Sequence, residues 1–284
     1  MSVNLSKAAV ASFDAMVHHQ FQANGHVLRP HVRVKTGVVG STHRFPIMRP
    51  GVATQRGAPQ TEVIPMNVDH GNATATLLDW VAPEYTDVFT QAKVNFDEKA
   101  ELSKVIAMAM GRRDDQVVID ALVATVGPKQ VSTDIGGTGT NMNIEKLLAA
   151  KAALDRDEVP TDGRTIVIHA NQLQTLLTET SVTSSDFNTI KALVRGEIDT
   201  YLGFKFVTIG TRPEGGLALA TGVRKAWAWQ KEAVGLAEGI AMRTSIDWIP
   251  TRVSHLCNAL FSAGAVSIDP LGIVEISCTD AAIA

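Results

Sequence analysis

Cysteine is almost missing from this chain of 284 residues: only Cys257 and Cys278 occur, with no CxxC and no Cys/His cluster. That scarcity excludes a disulfide scaffold and a structural zinc site, and it fits a reducing compartment. Long apolar runs are missing too. None approaches the ~18 residues of a membrane span, and the first residues carry no apolar leader core. The expectation is a soluble protein assembled in cytoplasm, with no membrane partner. No internal repeat is visible. A formal charge of −3 with 45% hydrophobic residues is an ordinary globular composition, and the length suits one large domain or two intertwined ones.

The charge that is present is unevenly placed. Between Met1 and Arg56, seven cationic side chains (Lys7, Arg29, Arg33, Lys35, Arg44, Arg49, Arg56) stand against Asp14 alone, and five of the eight His lie there. Such an arm faces nucleic acid or an acidic neighbour, or is simply solvated; charge alone does not choose among these.

The dominant element is a long helix expected from Asn95 to Pro128. Asn95 and Glu98 have the N-cap/N3 spacing of a capping box, Asp97 and Glu98 put negative charge at the positive end of the dipole, and Gly127-Pro128 is a stop. Roughly 30 residues at about 1.5 Å rise predict a rod of about 45 Å. Leu102, Val105, Ile106, Ala109 and Met110 form one apolar patch, and Val117, Val118, Ala121 and Leu122 a second. Between them lies the belt Gly111-Arg112-Arg113-Asp114-Asp115-Gln116. The pattern predicts a strut whose ends pack on different bodies while its waist meets solvent or a neighbour. An ion pair from Arg113 or Asp114 is expected to bridge to another part of the subunit or to a neighbour, with Arg112 and Asp115 as the adjacent candidates.

Upstream, Leu5 to Phe21 predicts a short amphipathic helix, and Val27 to Val39 alternates like a strand. From Phe45 to about Val94, Pro and Gly recur too often for any long helix. Thr61 to Val68 and Ala73 to Val81 read as strands, so a long β-hairpin arm accounts for this region better than a structureless loop. Its apolar Ile47, Met48, Val63, Ile64 and Met66 need a surface to cover them, which in an assembly is a neighbouring subunit. Downstream come a loop (Ser132 to Asn141), a helix (Asn143 to Arg156), a buried strand (Thr165 to His169) and short helices at Gln172 to Leu177 and Phe187 to Val194. The rest reads as β: Phe204 to Ile209, Leu217 to Ala220, Ala226 to Trp229, Gly239 to Trp248, Arg252 to Ser267 and Ile273 to Cys278. The order of arm, hairpin, long helix, α/β body and β return is α+β rather than a doubly wound series.

The patterns that could carry catalysis fail on chemistry. Gly136-Gly137-Thr138-Gly139 lacks the lysine of a phosphate loop and no convincing strand precedes it. His18 and His19 are adjacent, as are Asp114 and Asp115, so in a helix neither pair shares a face. His169 has Ser181, Ser184 and Ser185 downstream but no GxSxG elbow, and His255 and Cys257 alternate along a strand with no sign of ligation. Neither a catalytic residue nor a metal or cofactor site is expected.

Several strings in this order resemble the major capsid proteins of tailed double-stranded-DNA bacteriophages, the Hong Kong 97-type fold. Phe45 to Trp80 is similar to the family's extended hairpin, the E-loop, and Phe96 to Leu122, with GRRDDQVVIDAL, to its spine helix. NIEKLLAAKAALDRDEVP and RTIVIHANQLQTLL resemble the second peripheral helix and the entry to the axial domain. WAWQKEAVGLAE and SIDWIPTRVSHLCNALFSAGAVSIDPLGIVEISC resemble the closing strands. The resemblance implies an N-terminal arm (1–43), an E-loop (44–94), a peripheral domain with the spine helix (95–162), an axial domain (163–238) and peripheral return strands (239–284). It also implies hexamers and pentamers of this chain in an icosahedral shell around DNA held without sequence specificity, with a portal protein and, in some members, a decoration protein. Arg29, Arg33 and Lys35 become candidates for the DNA-facing side. No lysine lies between Arg44 and Ala92, so the hairpin crosslink of some members is not expected; with about 43 residues ahead of the hairpin, a separate scaffolding protein, or none, is. The rival readings are an encapsulin-type compartment on the same fold and, from another class, an α+β hydrolase.

Overall fold

The chain is described by a computed structural model over residues 22–60, 62–94, 96–178 and 200–280. The expected helices at 5–21 and 187–194 and the serines at 181–185 lie outside these residues. Among the described residues, the strands form three sheets. A four-stranded sheet has the order β1 (Arg33–Lys35), β11 (Val234–Ile249), β12 (Ser254–Ser267) and β4 (Leu78–Asp87). A second sheet has the order β5 (Lys129–Val131), β13 (Ile273–Thr279), β10 (Val223–Gln230), β6 (Arg164–His169), β8 (Phe204–Ile209) and β7 (Thr200–Tyr201), with β9 (Leu219–Ala220) on β10. β2 (Thr42–Met48) and β3 (His70–Thr76) form the hairpin. β13, in the 239–284 return, pairs with β10 and β5 and not with the four-stranded sheet.

The long helix, α2, spans Glu98–Val123, with the short α1 (Val88–Gln91) before it and α3 (Ile144–Arg156) and α4 (Ala170–Thr178) after it. Its 26 residues make about 39 Å. The N-cap is Asp97 and not the expected Asn95: the Asp97 carboxylate accepts from the amides of Lys99 and Ala100. Gln91 explains the displacement, since its side chain accepts the Glu98 N–H and donates to the Phe96 carbonyl. The end also comes early. The Ala124 and Thr125 amides turn back on Asp120 and Leu122, and the Thr125 hydroxyl closes on the Ala121 carbonyl, ahead of Gly127 at φ +72°.

The two apolar patches do not serve separate bodies. Ile106 and Met110 belong to one continuous core with Val118, Ile119 and Leu122, and that core takes Ala259 and Phe261 from one sheet and Val167, Trp227 and Trp229 from the other. α2 is the shared wall between the sheets. A second core lies on the opposite face of the β6–β10–β13 sheet, filled by Leu147, Ala150 and Leu154 of α3 and by Ile166, Ile168 and Phe204. This follows from β6, whose six residues are all buried, as a strand covered on both faces must be.

The hairpin is shorter than expected. β2 pairs with β3, whereas residues 78–87, read as its continuation, form β4 on the edge of the four-stranded sheet. Of the expected strand at Thr61 to Val68, the described residues 62–68 pair with no other strand; no helix or strand occurs among the described residues between Met48 and His70. Phe45 and Ala75 anchor the hairpin base against Ala237 and Ile268. Beyond that anchor, Met48, Val52, Val63, Ile64 and Met66 are exposed.

Candidate functional site

The belt on α2 was expected to meet solvent or a neighbour, and here the structure differs. Asp115 has no exposed surface, and Asp114 retains 4%. Two segments of the same chain, both far away in sequence, close over it: residues 22–28 on one side and the 212–215 loop on the other.

Asp114 and Asp115 diverge, as adjacent helical residues must. Asp114 Oδ2 lies 2.9 Å from His26 Nδ1. Asp115 accepts the Leu28 N–H at 3.0 Å and lies 3.3 Å from Arg212 Nη2. Burial nevertheless pushes the Asp115 carboxyl up, against the pull of the Leu28 amide and of Arg212; burial also lowers Arg212. Both partners pay for leaving water, and their attraction offsets part of that cost. Arg212 donates from Nε to the Gly215 carbonyl, and the Gly215 N–H donates to Gln116 Oε1 at 2.7 Å, so the loop is stitched to the helix twice.

The remaining belt charges are also engaged. Arg112 Nη1 donates to Gln22 Oε1 at 2.8 Å and to the Ala23 carbonyl. Arg113 lies 3.6 Å above the Trp80 ring, with Nη1 at 3.5 Å from Glu214 Oε1. These pairs all close within one subunit. The backbones meet directly at Gly25 and Gly111, where the His26 N–H donates to the Gly111 carbonyl. A Cβ on Gly25 would overlap the Gly111 carbonyl carbon, and Gly25 sits at φ +73°, so side chains are excluded there on two grounds.

The basic arm is similarly placed. Arg29 makes a two-pronged bond to Glu238, at 2.7 and 3.0 Å, and Glu238 raises the Arg29 pKa. Arg33 is 3.7 Å from Glu232 and stacks over Phe45; Lys35 is exposed and has no ionic partner among the described residues. Sequence reasoning missed Glu238 and Arg212 as partners, and no local signal pointed to either.

His169 is held by hydrogen bonds to its own neighbourhood. His169 Nε2 bonds Thr211 Oγ1, and its Nδ1 accepts the Asn171 N–H. In the glycine loop, Asp134 Oδ1 already takes the Gly139 N–H. Lys146, fully buried, donates to the Thr140 and Ser277 carbonyls, and burial pushes the Cys278 thiol beside it up to about 11. Among the described residues, no three His, Cys, Asp or Glu converge as metal ligands would.

No curated protein matches the chain in sequence. Solved structures do match in fold: the Helicobacter pylori bacteriophage KHP40 head (TM-score 0.78, 9% identity, 98% of each chain), the Cyanophage P-SCSP1u capsid (0.75, 15%, 99% of this chain and 96% of that one) and Mycobacterium phage Che8 (0.72, 15%, 94% and 96%). The fold is therefore the Hong Kong 97-type. These likenesses favour neither the enzyme-holding compartment nor the hydrolase. A model of the phage capsid protein family matches residues 5–280, so the chain belongs to that family.

Proposed function

We propose that copies of this chain, as the major capsid protein, close into the icosahedral head of a tailed phage around packaged double-stranded DNA, in hexamers and pentamers. The single observation that carries this is the hairpin. Val63 is 83% exposed, Ile64 71%, Met48 73% and Val52 79%, all held out from a well-filled body. Apolar surface of that kind marks a contact with another chain. The work of the protein is burial of these arms at many repeated contacts rather than bond-making. In this reading the four-stranded sheet with α2 is the peripheral part and the β6–β10–β13 sheet the axial part. Assembly takes place in host cytoplasm, with a portal protein, with a separate scaffolding protein or none, and in some heads with a decoration protein.

Arg29, Arg33 and Lys35 are assigned to the DNA-facing side, with Lys35 foremost because the other two have carboxylates of their own. Replacing Arg33 and Lys35 by Ala should lower packaged DNA and flatten its salt dependence; unchanged packaging overturns that assignment. The function itself is tested by expressing the chain alone or with a scaffolding protein and imaging the product. Closed shells of uniform diameter are expected; a protein that stays monomeric under both conditions overturns the reading.

A further inference from the structure

Residues 22–28 are held on α2 at four points, and those points differ in kind. Arg112 grips Gln22 and the Ala23 carbonyl, the Gly111 carbonyl takes the His26 N–H, Asp115 takes the Leu28 N–H, and His26 Nδ1 meets Asp114. Three of these holds run through a guanidinium, a backbone carbonyl and a carboxylate. The fourth runs through an imidazole, the one side chain whose ordinary titration falls in the physiological range. The backbone is shaped to present it: Gly25 and His26 both have positive φ, +73° and +55°, in a turn pressed against Gly111. The fastening is also shallow on one side, because the His26 side chain is 39% exposed and opens onto a cavity of about 750 Å³ shared with Arg29 and Glu238.

We propose that residues 22–28 form a protonation-dependent latch, fastened to the waist of α2 when His26 carries a proton and slackened when it does not. Protonated, the imidazolium serves two adjacent carboxylates, Asp114 directly and Asp115 through space. Arg29 on its own segment opposes its charge but is itself occupied by Glu238 of β11; Arg212, from the 212–215 loop, answers Asp115. Arg112 on α2 and Arg33, Lys231 and Glu232 at the cavity rim complete the charged surroundings. When the proton leaves, Asp114 loses its ion pair with His26 and keeps only the longer-range attraction of Arg29, while the Asp115 pair stays intact, so the failure is local to the turn at His26.

The sign follows from the hydrogen bond to Asp114, which outweighs burial and raises the imidazole above its ordinary value of about 6.5. The contribution of His26 is therefore fully present below that ordinary value and is lost as pH rises through the raised one. What the latch regulates is the hold on residues 22–28: fastened, they are committed to their own subunit; slackened, they are available to a neighbour. This consequence rests on the capsid reading, whereas the latch itself does not.

Hydrogen exchange across pH, corrected for intrinsic rates, tests it on the full chain. Protection of the 25–28 amides should fall about fivefold to tenfold between roughly pH 5.5 and 8.5, the scale of one partly exposed charged hydrogen bond. Protection of Val118 to Leu122 should stay level. His26→Gln should hold the 25–28 amides at the weak, high-pH level throughout, and His26→Lys, charged across the range, should keep them protected at pH 8.5. A flat wild-type profile, or a pH dependence that survives in His26→Gln, overturns the latch. If either variant fails to fold, the wild-type profile decides alone. Shells that form normally alongside a flat profile would sink the latch and leave the capsid reading standing.

Discussion

At the scale of single residues, Asp115 is the most exposed to disturbance because it is the least exposed to water. A carboxylate with no accessible surface is tolerated only beside matched charge, and here the match is Arg212, itself 9% exposed. Asp115→Asn preserves the acceptor for the Leu28 amide but strands the guanidinium, at an expected cost of about 3 kcal/mol. Adding Arg212→Met should recover part of that loss, since removing both charges also removes both desolvation costs. Urea unfolding of the two variants beside wild type is the check, and a double variant weaker than the single would contradict the account. The sequence made the belt conspicuous and predicted that its two carboxylates point apart. It could not supply Arg212, because |i−j| is 97, nor the Leu28 amide, at 87; pairing over such distances is set by the folded topology.

Elements were easier to read than their limits. The 3.6-residue spacing identified α2, and both helix ends came out wrong for the same reason: side chains outcompeted the expected caps. Asp97 rather than Asn95 holds the first turn, so Asp97→Ala should cost about 1 kcal/mol and speed exchange of the Lys99 and Ala100 amides. No change at those amides would move the cap elsewhere. Strand-like alternation also misled over residues 62–68, where β-propensity is present but no partner strand is found among the described residues; propensity describes fitness for a sheet, not membership in one. The same property placed β4 in the hairpin, although its ladder is with β12 from Leu78 to Asp87. β11 shows how far one strand can change character. Val234 to Ala237 is buried, and after two register shifts between Glu238 and Arg243 the strand is exposed, with Ile246 and Trp248 uncovered. Such irregularities add twist and turn a strand away from its sheet's first plane.

For the whole molecule, the decisive contrast is between a filled interior and an uncovered hairpin. Ile64→Asp and Val63→Asp should leave the unfolding free energy of the free subunit within about 0.5 kcal/mol of wild type, because neither side chain is buried. Shell yield should fall sharply, as read by sedimentation and electron microscopy. If both variants assembled normally, the hairpin tip would not be an interface. The sequence revealed this arm by its composition, and the resemblance along most of the chain supplied the fold; which segments would cover the helix waist was written in neither. That cover has a consequence in time. A ribosome adding about 5–20 residues per second takes roughly 5–20 s to travel from the belt to the loop that seals it, a separation of 97 residues. Throughout that interval Asp115 lacks Arg212 and the helix lacks one of its two covers. A nascent subunit therefore lacks the full cover of this helix until about three quarters of the 284 residues have been added.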